Sequence, residues 1–290
     1  MNWKIKAALQ KVISHLPFAQ GINYFMQRYF TGNLPMDSGI LEQKRVAVQK
    51  HFSVIRQYWP DNVDSINVYE FGAGYDMAIP LGLYFSGIRH QVVTDIKSLI
   101  KPDLVQDAYQ RLNPASQNII SINNAAALMG FGIAYRVPVI PSATGLPAAN
   151  FDFIHSTDTL EHIPAGEVLP ILEECYRLLK QGGVISCIID LQDHYAYFDK
   201  SLSPFNFYNY PERKWNRLYN NYLQYQNRLR VNDFIKLFAD AGFVSVQVEK
   251  EFIKGAGLEE LYTMQKAEKF EGYKLEDLAV LRCHISALKK

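Results

Sequence analysis

The run Val68-Tyr69-Glu70-Phe71-Gly72-Ala73-Gly74, followed by a lone acid at Asp95, decides the reading of this chain. The segment from Ser65 to Phe71 is mostly apolar and bounded by polar residues, the pattern of a buried parallel strand. Gly72 and Gly74 permit a sharp turn and a close approach of backbone to a ligand, because no Cβ stands in the way. A second apolar run, Gln91-Val92-Val93-Thr94, delivers Asp95. An acid at the tip of a second strand is the usual partner of the two hydroxyls of a ribose. Together these residues predict a nucleoside-bearing ligand at the edge of a doubly wound sheet.

The flanking residues narrow the choice of ligand. A dinucleotide fingerprint needs a third glycine so that the first helix can sit close to a pyrophosphate. Here Tyr75, Asp76 and Met77 follow Gly74. Glu70, before the first glycine, repels phosphate and attracts an amino group. A ribose, an ammonium and no phosphate describe S-adenosylmethionine. The Glu70–Gly74 run and Asp95 resemble the first two motifs of class I S-adenosylmethionine-dependent methyltransferases. Two later segments extend the resemblance: Phe151-Asp152-Phe153-Ile154-His155-Ser156 with Leu160-Glu161-His162-Ile163, and Leu178-Leu179-Lys180-Gln181-Gly182-Gly183. The match covers roughly Ser65 to Asp190.

The resemblance implies an α/β fold: a doubly wound, Rossmann-like, seven-stranded sheet, mostly parallel, with the last strand antiparallel. It implies S-adenosyl-L-methionine as cofactor, contacted by Glu70, Phe71, Gly72, Ala73, Gly74, Asp95 and Ile96. Glu70 is expected to orient the methionine ammonium. Ser142 and Ala143 follow the third strand, where the family often carries an acid that reads the adenine amino group. The run from Pro141 to Pro147 has no acid, so backbone groups are expected there. Thr157 and Asp158, at the carboxyl end of strand four, are expected to face the crevice. Asp158 reads equally as a cofactor contact and as the N-cap of a short helix. Asp152 begins strand four, at the wrong end for the ligand, and reads as structural.

Composition sets the outer limits. A chain of 290 residues with 48% apolar residues suits one large domain or one domain with additions. A net charge of +1 offers no global field for nucleic acid. Cys175, Cys187 and Cys283 lie far apart, which argues for a reducing, cytoplasmic setting rather than a disulfide framework or a zinc site. No apolar run reaches membrane-spanning length. The first 36 residues carry Lys4, Lys6, Lys11 and Arg28 and no acid. Lys6 and Lys11 interrupt any signal-peptide core. This start reads as a cap helix on the core, with a basic amphipathic helix on a membrane surface as the second reading.

Residues 1–64 form the expected N-terminal helical cap, with a break at Gly32-Asn33-Leu34-Pro35. Residues 65–290 form the main domain, with an aromatic-rich insertion at about 192–229. Strands are expected at Ile66–Phe71, Gln91–Thr94, Arg136–Ile140, Phe151–Ser156, Val184–Leu191, Phe243–Glu249 and about Ala279–Leu288. Helices are expected from near Ala78, over about Gly166–Lys180 with Gly182-Gly183 as its stop, and over Val231–Ala241.

The sharpest catalytic signal is Asp190-Leu191-Gln192-Asp193-His194-Tyr195 at the carboxyl end of strand five, the ligand-binding end of a parallel sheet. An attacking hydroxyl must shed its proton, and a histidine beside a carboxylate is a suitable base near neutral pH. His194 is therefore the expected base, with Asp193 or Asp190 orienting it. A magnesium reading gathers Asp158, Asp190, Asp193 and His194. The Asp-Asn pair of metal-dependent O-methyltransferases is absent, and no metal ligand is assigned. Glu161 and His162 read as marks of the fold rather than of mechanism.

The insertion has two readings. Its rings either roof the core or form a platform for a flat or sugar-like acceptor, with Asn206, Asn209, Asn220 and Asn221 as hydrogen-bond partners. Arg228 and Arg230 add cations for an acidic group. A looser resemblance connects the chain to bacterial methyltransferases of cell-surface polysaccharide and glycoconjugate synthesis. It rests on Leu16-Pro17-Phe18 to Gln27-Arg28, Asp190-x-x-Asp193-His194, and Asn227-Arg228-Leu229-Arg230. It implies a small-molecule or glycan acceptor methylated at a hydroxyl. The rival readings are a methyltransferase for an aromatic metabolite and a non-catalytic, cofactor-binding scaffold.

Overall fold

The computed structural model describes residues 2–29, 34–114 and 122–290. Of the break expected at 32–35, residues 32 and 33 lie outside the described residues. Three helices come first: α1 (Trp3–Ser14), α2 (Ala19–Tyr29) and α3 (Ser38–Tyr58). Then β1 (Asn67–Phe71), α4 (Ala78–Phe85), β2 (His90–Thr94), α5 (Pro102–Leu112) and β3 (Ile133–Arg136) build one half of the sheet. The other half begins with β4 (Phe151–Thr157), α6 (Ala165–Leu178) and β5 (Leu179–Asp190). The insertion carries α7 (Tyr195–Phe198) and α8 (Glu212–Leu218), and α9 (Val231–Asp240) leads into β6 (Val244–Phe252). Two short helices, α10 (Ala256–Thr263) and α11 (Leu275–Leu278), precede β7 (Val280–Leu288).

Among the described residues the seven strands form one sheet in the order β3-β2-β1-β4-β5-β7-β6. The first five pair in parallel, and β7 runs antiparallel to both β5 and β6. The chain order reverses between β1 and β4, which opens a crevice at the carboxyl ends of those strands. This is the doubly wound α/β architecture that the sequence predicts.

Local chemistry explains the boundaries. The Asp37 carboxylate accepts from the Ile40 backbone nitrogen at 2.8 Å and starts α3. Before α4, the Asp76 carboxylate accepts from the Ala78 nitrogen at 2.9 Å, and Met77 holds the N-cap position without a side-chain bond. Several expected boundaries move, among them the end of β6, which runs to Phe252 rather than Glu249. The third strand spans Ile133–Arg136 rather than Arg136–Ile140, and its ladder pairs Gln91 with Ile133 and Thr94 with Arg136. Pro138 and Pro141 have no N–H to extend that ladder. Helix α6 ends at Leu178, and Leu179 already belongs to β5. Gly182 and Gly183 therefore lie within the early part of that strand, beside an irregularity opposite Phe151–Phe153. They do not cap the helix.

The core has a layer on each side of the sheet. On one side α6 and α9 bury Val168, Leu172, Cys175, Phe234 and Phe238 against Ile154, Ile185 and Ile285. On the other, α3 and α4 bury Val48, Ile55, Ile79 and Leu83 against Val68, Phe153 and Val184. Helix α3 is also fixed by polar contacts. His51 Nδ1 lies 2.8 Å from Ser186 Oγ, and its Nε2 lies 2.9 Å from Thr157 Oγ1. Ser186 Oγ in turn contacts His284 Nε2 at 2.7 Å.

A third cluster joins the insertion to both ends of the chain. Trp3, Ala7, Tyr195, Phe205, Phe207, Tyr208, Trp215, Leu261, Phe270 and Leu278 pack together. The Trp3 ring lies 4.7 Å from that of Tyr219 and 5.2 Å from that of Tyr195. The segment between β6 and β7 supplies part of this cluster, through Leu261, Phe270 and Leu278, though no pattern of its own sequence points there. Helix α1 turns Trp3 and Ala7 inward and leaves Ile5, Leu9 and Val12 exposed, as is Leu16 just after it.

Candidate functional site

The crevice begins where β1 and β2 end side by side, with Phe71 opposite Thr94. Glu70 is buried at the tip of β1, and its Oε2 has no hydrogen-bond partner. Burial, helped by the charges of Asp76 and Asp95, pushes its carboxyl up to about 8. Phe71 is buried behind it. The chain then turns through Gly72 at φ 82° and Gly74 at φ 69°. A Cβ on Gly72 would lie 2.4 Å from Thr159 Oγ1, so the turn also needs this residue to be small. The Gly72 nitrogen donates to the Thr94 carbonyl at 3.0 Å. Ala73 lies between the two glycines in this turn.

Asp95 follows β2, mostly buried. Its two oxygens face the Gly74 and Lys97 nitrogens, each at 3.4 Å. These are long contacts that leave the carboxylate able to accept stronger donors. Burial raises its carboxyl above the ordinary value. Ile96 is exposed beside it. The Val139 nitrogen donates to the Asp95 carbonyl at 2.9 Å, which brings the loop with Ser142 and Ala143 to this edge. Thr144 anchors that loop through its backbone nitrogen, 3.0 Å from Glu174 Oε1.

Thr157 and Asp158 depart from expectation. The Thr157 hydroxyl is engaged by His51, on the α3 side of the sheet. Asp158, at φ 52°, contacts Arg282 through both carboxylate oxygens, at 2.6 and 2.8 Å. The following 3-10 turn, Leu160–His162, has Thr159 at its N-cap position and no side-chain cap, so Asp158 does not cap it. Arg282 sits on β7 directly opposite Asp190. Nothing in the local sequence of Asp158 points to that partner; antiparallel pairing supplies it.

The second half of the site lies at the ends of β4 and β5. Asp190 Oδ2 accepts from the Tyr197 hydroxyl at 2.7 Å and lies 3.1 Å from His194 Nε2. Its Oδ1 accepts from the Gln192 nitrogen at 3.1 Å. Burial pushes the Asp190 carboxyl up. His194, Tyr197 and Gln192 together outweigh that and hold it below its ordinary value. Of the two expected orienting acids, Asp190 is therefore the one that meets His194. The Asp193 carboxylate accepts from Asn206 Nδ2 at 2.7 Å and from the Tyr195 nitrogen at 2.9 Å. It is fully buried inside the insertion, where burial raises it to about 6 despite those bonds.

Two residues that read as marks of the fold join this group. Glu161 is 3% exposed, with Oε1 3.4 Å from the Asp190 nitrogen and Oε2 without a partner. Burial, then the charges of Asp158 and Asp190, push its carboxyl well above the ordinary range. His162 Nδ1 donates to the Tyr225 carbonyl at 2.7 Å. The rings of His162 and His194 meet edge to face, 4.8 Å apart. Asn227 holds the turn that carries Glu161 and His162: its Nδ2 donates to the Leu160 and Ile163 carbonyls at 2.8 and 2.9 Å. The magnesium set of the sequence reading is not gathered, since Asp193 turns into the insertion and Asp158 pairs with Arg282.

The polar residues of the insertion serve its own packing. Asn220 accepts from Trp215 Nε1 at 3.0 Å, Asn209 donates to the Asn206 carbonyl at 3.0 Å, and Asn221 donates to the Tyr219 carbonyl at 3.2 Å. Buried Arg228 donates to the Phe207 and Tyr210 carbonyls and to Glu212. Buried Arg230 donates to the Leu191 carbonyl at 2.7 Å. Neither arginine is placed to meet an acidic ligand; both tie the insertion down.

A cavity of about 590 Å³ adjoins the Asp190 group. Lys50, Gln192, Tyr197, Glu251 and Arg282 are among the residues that line it.

Residues 108–187, from α5 to β5, match the family model described as a methyltransferase domain. Among curated proteins none matches this sequence. Similar solved structures include phosphoethanolamine N-methyltransferase 2 of Haemonchus contortus in complex with S-adenosyl-L-methionine. That match has 14% identity, 83% of this chain and 52% of that chain covered, and a TM-score of 0.47. The CurJ carbon methyltransferase matches at 17% identity, with 94% and 59% covered and a TM-score of 0.47. An S-adenosylmethionine-dependent methyltransferase of Mesorhizobium loti matches at 13% identity, with 82% and 97% covered and a TM-score of 0.45. The present chain thus spans little more than half the length of the first two. The methyl donor of the domain is S-adenosyl-L-methionine. The tips of β1 and β2 fit it: the orphaned oxygen of Glu70 suits an ammonium, and Asp95 suits a pair of ribose hydroxyls.

Proposed function

We propose that this S-adenosylmethionine-dependent methyltransferase transfers its methyl group to a hydroxyl of a sugar or glycoconjugate. The observation that carries the reading is His194, 3.1 Å from Asp190 at the end of β5, where Gln192 and Tyr197, both bonded to Asp190, line a cavity. The cofactor supplies an electrophilic methyl group on a sulfonium. The chain's own task is to hold that group and to relieve the acceptor hydroxyl of its proton. Glu70, Phe71, Gly72, Ala73, Gly74, Asp95, Ile96, Ser142 and Ala143 serve the first part. His194 serves the second, oriented by Asp190, and Tyr197 and Gln192 hold Asp190 in place.

The cavity supports a hydroxyl-rich acceptor. Its volume lies in the usual range for small-molecule sites, and Lys50, Gln192, Glu251 and Arg282 offer hydrogen bonds beside an apolar wall of Val46, Ala47, Ile188 and Leu281. An aromatic acceptor has less support. The rings that would make a platform, such as Tyr208 and Trp215, are buried among themselves. Residues 1–64 and the insertion act as covers of the crevice. Tyr24 on α2 lies 5.7 Å from Tyr75, and Lys97 lies 4.0 Å from the Tyr222 ring. A reducing, cytoplasmic setting suits three buried free cysteines.

The test is S-adenosylhomocysteine formation with nucleotide sugars, oligosaccharides and phenols as acceptors. Turnover with sugar hydroxyls is expected. His194→Ala is expected to lower kcat by about a hundredfold or more while cofactor affinity stays near wild type. Turnover of phenols alone would move the function to aromatic metabolites. No turnover with any acceptor would favour the scaffold reading.

A further inference from the structure

We propose that Glu161, His162 and His194 hold a divalent first-row metal cation, with an oxygen of the acceptor as a further ligand. Each of the three offers one ligand atom, and these atoms lie within 4.8 Å of one another. Metal–ligand distances of about 2.0–2.2 Å for nitrogen and carboxylate oxygen need only a small inward rotation of these side chains. The turn after β4 presents Glu161 and His162, and the chain leaving β5 presents His194. The three therefore converge from two adjacent strands at the ligand-binding end of the sheet.

A second, independent observation points to a missing partner. Glu161 is 3% exposed, and its Oε2 has no hydrogen bond. A buried carboxylate oxygen without a donor is costly, and a cation at this place would satisfy it. The surroundings have the features of an outer shell. His162 Nδ1 is committed to the Tyr225 carbonyl, which leaves Nε2 with its lone pair free to ligate. Asn227 fixes the turn through the carbonyls on either side of Glu161 and His162. Asp158 and Asp190 add negative charge close by, only partly balanced by Arg282.

The donor set selects the ion. Two imidazoles and one carboxylate suit manganese, iron or zinc better than magnesium or calcium, which prefer all-oxygen shells. Three protein ligands leave positions open for water or an acceptor oxygen. The role of the site rests on the hydroxyl-methylation reading above and gives the deprotonation to the bound cation in place of a free His194. A cation lowers the pKa of an oxygen that it binds, so the acceptor proton passes more readily to water. In the loaded enzyme His194 then works as a ligand rather than as a free base.

Binding is tested apart from activity. The full chain is stripped with chelator and titrated with Mn²⁺, followed by electron paramagnetic resonance; Co²⁺ absorption reports nitrogen ligation. One ion per chain is expected, with Glu161→Gln, His162→Ala and His194→Ala each weakening binding about tenfold or more. Circular dichroism and S-adenosylmethionine binding confirm that each variant is folded. No bound Mn²⁺ at about 1 mM, or affinities unchanged in all three folded variants, would overturn the site. Sugar methylation at full rate in chelator, lost in His194→Ala, would also overturn it and leave the base reading standing. Site-specific Mn²⁺ binding without turnover of any hydroxyl would uphold the site and overturn the proposed acceptor.

Discussion

Glu70 and Asp95 are acids at adjacent strand tips, but their surroundings differ. Glu70 is buried, lacks a donor on Oε2, and is raised to about 8. Its proton is favoured in the folded protein. The stability from this group is complete below the ordinary carboxyl value of 4.5 and is lost as pH rises to about 8. The ligand-free protein should therefore lose thermal stability over that window, and Glu70→Gln should flatten the loss. At pH 7, pairing with the cofactor ammonium should release about 1 proton per site. Calorimetry in buffers of different ionisation enthalpy measures this. A release that persists in Glu70→Gln would assign the proton to another group. Asp95 should act as an acceptor of charge-assisted bonds, worth roughly 1.5–3 kcal/mol each. Asp95→Ala should then weaken cofactor binding about tenfold or more without unfolding the protein. A loss below about threefold would mean that the ribose is held elsewhere. Both acids are legible as strand-end residues in the sequence. The partners of Asp158 and of buried Asp193 are not, because an acid at such a place takes whichever donor the tertiary fold delivers.

At the scale of elements, the turn after β1 is the most constrained. Gly72 and Gly74 both have positive φ, but only Gly72 faces an obstacle. Gly74→Ala should cost the left-handed backbone penalty, roughly 1–2 kcal/mol. Gly72→Ala should cost more, because its Cβ meets Thr159 on the neighbouring β4 turn. Chemical denaturation compares the two. Equal losses would show that Thr159 moves aside freely. The sequence reading placed β1, β2 and β4 well because their apolar runs end at distinct turn or polar residues. It misplaced β3 and the junction of α6 with β5. At β3 the strand is only four residues long and follows a 3-10 segment, Ala125–Phe131, so its apolar run has no sharp edge. At the junction the glycines look like a helix stop. Yet the strand already starts at Leu179, whose backbone pairs with Phe151. Pairing across the sheet overrides the local signal there.

At the scale of the molecule, the insertion is held by both ends of the chain. Trp3 packs on Tyr195, Tyr210 and Tyr219, while Phe270 and Leu278 close the other side. Trp3→Ala should destabilise the protein by about 3–5 kcal/mol and speed protease cleavage within 195–225. About thirty residues are too few to bury a core alone. A stable fragment of that segment alone, or unchanged cleavage in the variant, would count against this account. The aromatic content of the insertion is plain in the sequence, but the direction in which its rings face is not. Burial of Trp215, Tyr208 and Arg230 is decided by segments remote in the chain, including α1 and the stretch before β7. The sequence by itself determined the doubly wound sheet and placed acids at the ends of β1, β2 and β5, because strand periodicity, glycine turns and strand-tip acids are local signals. Only the tertiary structure decided that Asp190 rather than Asp193 meets His194, that Arg282 holds Asp158, and that Glu161 and His162 converge on the same point. Those relations depend on strand pairing and on the competition of buried polar groups for partners, which no short stretch of sequence encodes.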